Sequence, residues 1–194
     1  MGMFSPTLER ALAVAARAHD GQKRSGTEVP YFAHPVHVAM LLIKSGAPEP
    51  LVLAGVLHDV VEDTEVTLQE LRAQFGDEVA DLVAEVTQPA PGVATGSWRE
   101  VRQNAIAHLE RAPQRVAWLK SADTLHNVSA LLMDVETRGH DALTRFKRAP
   151  SEQLWYYGEV ARVCRERLGA EHSLAAELWD TMARLRERVG ALGP

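Results

Sequence analysis

The stretch AGVLHDVVEDT, Ala54 to Thr64, sets one histidine and three carboxylates inside an otherwise apolar segment. Isolated charge is costly to bury, so three readings compete: a solvated helix face, a satisfied buried network, or a metal-centred active site. On a helix, residues three and four apart share a face, which brings His58 to Glu62 and Asp59 to both Glu62 and Asp63. Val56, Leu57, Val60 and Val61 would bury the remaining surface and hold that patch rigid. Two other segments add to it. His34 stands before Pro35 in YFAHPVHVAM, at a helix start where proline is favourable. Asp123 lies in LKSADTLHNVSALL, a polar group in an apolar helical stretch, with Asn127 one turn further on. His34, His58, Asp59 and Asp123 together offer two imidazoles and two carboxylates. That donor set suits Mn²⁺, Fe²⁺, Mg²⁺ or Zn²⁺ and leaves coordination positions for water and substrate.

The elements that must carry these groups read as helices. Apolar residues recur at helical spacing through Leu8–Ala18, Val36–Ile43, Leu51–Val61, Leu68–Phe75 and Val79–Val86. The same spacing resumes in Trp98–Glu110, Val116–Thr137, Glu152–Leu168 and Leu174–Val189, after a loop at Gln88–Gly96 rich in Pro, Gly and Ala. Thr67 with Glu70 and Ser97 with Glu100 form capping-box pairs, and Gly46, Gly76 and Gly139 stand where helices should stop. No strand and no internal repeat is evident. The expected fold is all-α, a single-domain bundle of about eight or more helices.

Composition limits the function classes. A chain of 194 residues is long enough for one sizeable core, and its 46% apolar and 24% charged residues are those of an ordinary globular protein. A net charge of −5 argues against a nucleic-acid polymer as partner, because such binding draws on clustered Lys and Arg. A small phosphorylated ligand in a locally basic pocket stays compatible. Cys164 is the single cysteine, which excludes a disulfide framework or a cysteine-built zinc site within one chain. The N-terminus lacks the basic start and apolar run of a secretory signal, and no window approaches the roughly 20 apolar residues of a membrane span. The expected setting is the cytoplasm, away from membranes, with a homo-oligomer compatible with everything above.

His34, the adjacent pair His58-Asp59 and the distant Asp123 resemble the H…HD…D signature of the HD superfamily of metal-dependent phosphohydrolases. The segments AHDGQKRSGTEVPYFAHP, VLHDVVEDT and LKSADTLHNVSAL are similar to the hydrolase domain of the RelA/SpoT alarmone enzymes, and the chain length resembles that of the single-domain small alarmone hydrolases. The motifs run from about Leu12 to Leu132, and residues 151–190 would complete the fold. The resemblance implies hydrolysis of the 3′-pyrophosphate of ppGpp or pppGpp to GDP or GTP and pyrophosphate, usually with Mn²⁺. It implies His34, His58, Asp59 and Asp123 as metal ligands, and Glu62 with Asp63 as the pair that positions or deprotonates a water.

On the substrate side the resemblance points to Arg24 as a nucleobase contact and Asn127 near ribose and base. Lys23, Arg99, Arg102 and Lys120 are implied phosphate partners, and Tyr156 or Tyr157 closes the pocket. Plainer readings stand beside these: a surface arginine for Arg24, a core residue for Tyr156, a solvated acidic helix end for Glu62, Asp63 and Glu65. His19 resembles a turn residue of the AHxGQ motif. His37, His108, His126, His140 and His172 lack a complete ligand pattern, and His126 would act on the site only indirectly.

Three departures bear on specificity. Arg24 is followed directly by Ser25 where an Arg-Lys pair is common, Ser129 and Ala130 replace the arginine and threonine of HNxRTL, and Gln88 stands where a basic residue often follows VT. Losing cations weakens the case for a heavily charged alarmone without touching the metal chemistry. Two alternatives follow. One is an HD phosphohydrolase of another nucleotide, such as an adenine alarmone or NADPH. The other is a nucleotide sensor that does not turn its ligand over.

Overall fold

A computed structural model describes residues 4–87, 96–144 and 149–192. The expected loop with Gln88 lies outside the described residues except at Gly96. The chain falls into two compact units, Met1–Ala94 and Thr95–Pro194. All regular structure among the described residues is helical, apart from one isolated bridge between Lys23 and Pro30. The expectation of an all-α architecture is met.

The first unit holds α1 (Pro6–Ala18), α2 (Ala33–Lys44), α3 (Glu49–Leu57), α4 (Val60–Asp63), α5 (Leu68–Phe75) and α6 (Asp77–Val86). Helix α1 begins two residues before the apolar pattern because the Ser5 side chain accepts from the Leu8 N–H and Pro6 occupies the first turn. Every residue from Leu51 to Leu57 is buried, so α3 is apolar all round and packs against α1, α2 and α6. It is the axis of this unit. Thr67 and Glu70 close the expected capping box on α5, and Gly76, at φ +86°, ends it.

The second unit holds α7 (Trp98–Arg111), α8 (Gln114–Arg138), a 3₁₀ turn (Gly139–Leu143), α9 (Pro150–Leu168) and α10 (Ser173–Ala191). Helix α8 runs against α9 and α10, while α7 lies on α9. Ser97 and Glu100 cap α7 as expected, and Gly139 ends α8 at φ +58°. Cys164 is buried on α9, and loss of water pushes its thiol up to about 11, which leaves no thiolate for nucleophilic chemistry. Among the described residues, no helix is long and apolar enough to cross a membrane.

One expected element is corrected. The apolar spacing over Leu51–Val61 predicts one continuous helix, but α3 stops at Leu57, His58 and Asp59 form a turn, and α4 starts at Val60. The His58 ring supplies a reason: its Nδ1 lies 2.8 Å from the Gly55 carbonyl oxygen and competes for the acceptor that a continuing helix would use. The apolar periodicity carries straight through this break and so conceals it.

Candidate metal centre

Helix α2 starts with His34 in its first turn, tied back by its backbone N–H to the Tyr31 carbonyl at 2.9 Å. Pro35, next in sequence, has no N–H to leave unsatisfied at a helix start. Helix α3 delivers His58 at its C-terminal end, and the turn places Asp59 as the first residue before α4. The result is a cluster in which one nitrogen from each histidine and one Asp59 oxygen lie within 4.8 Å of one another. His34 and His58 are 1% and 4% exposed, and their ring centroids are 5.0 Å apart.

The hydrogen-bonding chemistry fits a cation there. A carbonyl only accepts, so His58 Nδ1 carries the proton toward Gly55 and a neutral ring presents the Nε2 lone pair on its other side. That nitrogen faces Asp59 Oδ2 at 3.0 Å, and His34 Nε2 faces the same oxygen at 3.5 Å. A nitrogen lone pair facing a carboxylate oxygen is repelled unless the two share a proton or a metal ion. Two imidazoles and a carboxylate make a donor set that suits a divalent metal, and the backbone carbonyl behind His58 is the outer partner that fixes a ligand's tautomer.

Gly55 makes this approach of α3 to α2 feasible. A Cβ there would lie 2.5 Å from Leu42 Cδ1 and 3.5 Å from Val38 Cγ1, both on α2. Gly55→Ala is therefore expected to lower stability: overpacking costs about 1–3 kcal/mol, offset by about 1 kcal/mol of helix propensity. Urea unfolding of the metal-free protein measures the difference. Because His58 follows three residues later, weaker metal binding in the same variant is the expected functional consequence.

The acid pair lies beside the cluster. Glu62 and Asp63 sit on α4, both exposed as whole residues, and the Asp63 carboxyl turns to the Tyr31 hydroxyl. Its pKa is raised above the ordinary aspartate value, first by partial loss of water around it and second by the charge of Asp59. The Tyr31 hydrogen bond and the nearby His19 and His58 work in the opposite direction. Asp63 is thus close to the metal-type ligands in space and its proton is more firmly held than a free carboxyl's.

The remaining candidates are distributed as follows. Arg24 holds its guanidinium 5.7 Å from the Tyr31 ring centroid in the first unit. Lys23 is ion-paired with Glu28. In the second unit Asp123 is 7% exposed, with Oδ2 accepting from Lys120 Nζ and Oδ1 from Asn127 Nδ2, each at 2.7 Å. Arg102 lies over Tyr156 at 4.7 Å and over Trp98 at 5.4 Å. Tyr156 is 5% exposed and packs edge-on to Trp98, a core position for its ring. Arg99 stacks on Trp155 at 4.0 Å and pairs with Glu152 at 2.8 Å.

Three neighbours of the cluster carry no metal-ligand spacing and were not singled out as site residues by it. Tyr31 donates to Asp59 Oδ2 at 2.6 Å. Gln22 donates from Nε2 to the Asp63 carbonyl at 3.1 Å and accepts from His19 Nδ1 at 2.8 Å. His19, the expected turn residue, therefore does serve its segment's structure. The sequence signal for the group is the compact run from His19 to His34, where a polar turn leads directly into a ligand-bearing helix.

A family model described as an HD domain matches residues 11–146, a span that includes all four expected ligands. Among curated relatives, a protein of Streptomyces coelicolor named GTP pyrophosphokinase is 39% identical over 64% of this chain and 14% of its own length. The bifunctional (p)ppGpp synthase/hydrolase SpoT of Escherichia coli is 32% identical over 85% of this chain and 22% of its own length. The chain thus spans only about a seventh to a fifth of those relatives. Of solved structures, one described as a metazoan ortholog of SpoT that hydrolyzes ppGpp superposes with a TM-score of 0.74 at 25% identity, covering 96% of this chain and 98% of that one. A crystal structure from Listeria monocytogenes gives a TM-score of 0.66 at 36% identity, covering 78% and 95%. With its histidine–aspartate cluster inside a match that runs through most of its length, this chain belongs to the HD-domain family.

Proposed function

We propose that this protein hydrolyses the 3′-pyrophosphate of ppGpp or pppGpp, releasing GDP or GTP and pyrophosphate, with Mn²⁺ as the working metal. The observation that carries the reading is the convergence of His34, His58 and Asp59, with Asp63 beside them through Tyr31. The solved relative that covers nearly the same length and is described as hydrolysing ppGpp supports the substrate. Asp123, buried and held by Lys120 and Asn127, is proposed as a further ligand on the strength of its ADTLHN motif. The family match runs from 11 to 146, through parts of both units, and supports reading the chain as one HD domain. The single cysteine and the small nucleotide substrate support a cytoplasmic setting.

A divalent ion held by these ligands supplies a Lewis acid for the phosphoryl oxygen and lowers the pKa of water. The chain's own residues do the rest. Glu62 and Asp63 orient the attacking water and take its proton as its oxygen bonds to phosphorus. The bond from that phosphorus to ribose O3′ breaks, and O3′ leaves with a proton returned by the pair. Arg24 offers a planar guanidinium for stacking on the purine, and Asn127 an amide for the ribose or base.

Incubation of the Mn²⁺-loaded protein with ppGpp, pppGpp, an adenine alarmone and NADPH tests the reading. Pyrophosphate and GDP from ppGpp support it; turnover of another nucleotide with none of ppGpp overturns the substrate. Tight ppGpp binding with no turnover would instead identify a sensor. Arg24→Ala is expected to raise KM several-fold while changing kcat little, because a stacking contact made equally in ground and transition states contributes uniform binding. An unchanged KM would remove Arg24 from the site.

A further inference from the structure

Tyr31 occupies a position that metal chemistry alone does not require. Its hydroxyl donates to Oδ2 of Asp59 at 2.6 Å, and its backbone N–H is bonded to Gln22, whose side chain holds the backbone of Asp63, so one short segment touches both a proposed metal ligand and one member of the acid pair. The ring is held from several sides. His19 packs against it at 4.7 Å between centroids, His34 meets it edge-on at 5.8 Å, and the Tyr31 N–H donates to the Gln22 carbonyl at 2.9 Å. Gln22 in turn grips the backbone of Asp63 through its Nε2, while its Oε1 is fixed by His19 Nδ1.

We propose that Tyr31 is a positioning residue: its hydroxyl, braced by His19 and Gln22, fixes the Asp59 carboxylate relative to Asp63, whose backbone Gln22 ties to the same segment. The physical reason is geometric. Asp59 belongs to a turn and Asp63 to a four-residue helix, both short on internal restraint, and two neighbouring carboxylates repel. The Tyr31 hydroxyl donates to Asp59 while Gln22 Nε2 donates to the Asp63 carbonyl, which opposes their separation, and the aromatic ring beneath the hydroxyl resists tilting. Proton transfer depends on the placement of donor and acceptor to within a fraction of an ångström, so a loosened tether shows in turnover.

This inference rests on the proposed metal site and is tested apart from the choice of substrate. Tyr31→Phe keeps the ring and its contacts with His19 and His34 and deletes the hydroxyl alone. Calorimetric titration of metal-free protein with Mn²⁺ should show affinity weakened about 10-fold or more, the range for losing an outer partner of a metal ligand. In the loaded protein kcat should fall by a larger factor than KM changes, with thermal unfolding still cooperative. Gln22→Met, which removes the tether to the Asp63 backbone together with the acceptor of His19 Nδ1 but leaves the Tyr31 hydroxyl on Asp59, should lower kcat and leave Mn²⁺ affinity near wild type. Tyr31→Phe with unaltered Mn²⁺ affinity and unaltered kcat overturns the proposal. If wild-type protein proves inert toward ppGpp while Tyr31→Phe still weakens Mn²⁺ binding, the substrate reading fails and the tether stands.

Discussion

His58→Ala and Asp59→Ala proteins should fold, bind no stoichiometric divalent metal, and lose ppGpp hydrolysis by roughly 10³-fold or more. The factor follows from the several kcal/mol that a metal ion contributes to transition-state charge, at about 1.36 kcal/mol for each tenfold in rate. The two variants reach that end differently. Asp59→Ala takes away the oxygen on which both imidazoles converge, leaving two buried rings whose nitrogens are a poor cradle for a hard cation. His58→Ala removes one nitrogen ligand and also the ring that competes for the Gly55 carbonyl, so α3 is free to continue toward α4 and carry Asp59 out of register. Elemental analysis after Mn²⁺ loading, with circular dichroism to establish folding, reads both. A fully active His58→Ala protein without metal would remove the cluster from the chemistry.

The second large effect is expected at the acid pair. Glu62→Gln and Asp63→Asn should retain Mn²⁺ yet lower kcat by about 10²–10⁴, the usual contribution of general acid–base catalysis. Retained metal distinguishes these variants from those at His58 and Asp59, and unaltered turnover in both would leave the pair as a solvated helix end. Asp63 also dictates a pH signature. Its carboxyl is raised above the ordinary aspartate value of 3.8 in the folded protein, so the fold holds a proton that the unfolded chain has already released. Stability from that group is complete below the unfolded value and is lost as pH rises through the folded one. In metal-free protein, Asp63→Asn should therefore raise Tm once the pH is above the raised value of the folded carboxyl, with the gain vanishing in acid below 3.8. For catalysis the sign is opposite: the pair must be able to accept a proton, so the acid limb of kcat should lie at higher pH than an unperturbed aspartate would set. A stabilised, inactive Asp63→Asn protein would be the mark of a residue kept for function at the expense of the fold.

The helices were legible in the sequence because burying one apolar face imposes a period close to 3.6, and α1, α2 and α5 to α10 follow that period with their caps at Ser97, Thr67 and Gly139 written out locally. The metal-type residues were legible too, since His58-Asp59 adjacent in an apolar run and His34 beside Pro35 are local and expensive to place without a purpose. What the periodicity could not reveal is the break at His58 and Asp59. The apolar run of α3 continues in sequence into Val60 and Val61, while the His58 side chain reaching back to the Gly55 carbonyl opposes the helix there.

The sequence by itself determined the all-α class, the helix ends marked by Thr67, Ser97 and Gly139 and the kinds of donor atom available, because each depends on residues within a turn or two of one another. The tertiary structure alone decided that His34 Nε2 and His58 Nε2 converge on one oxygen of Asp59, that Gly55 lets α3 approach α2, and that Tyr31, 28 residues from Asp59, reaches its carboxylate. Those relations are distances between segments far apart in the chain. No local pattern records them, since they are set by how the buried axis α3 packs among its neighbours.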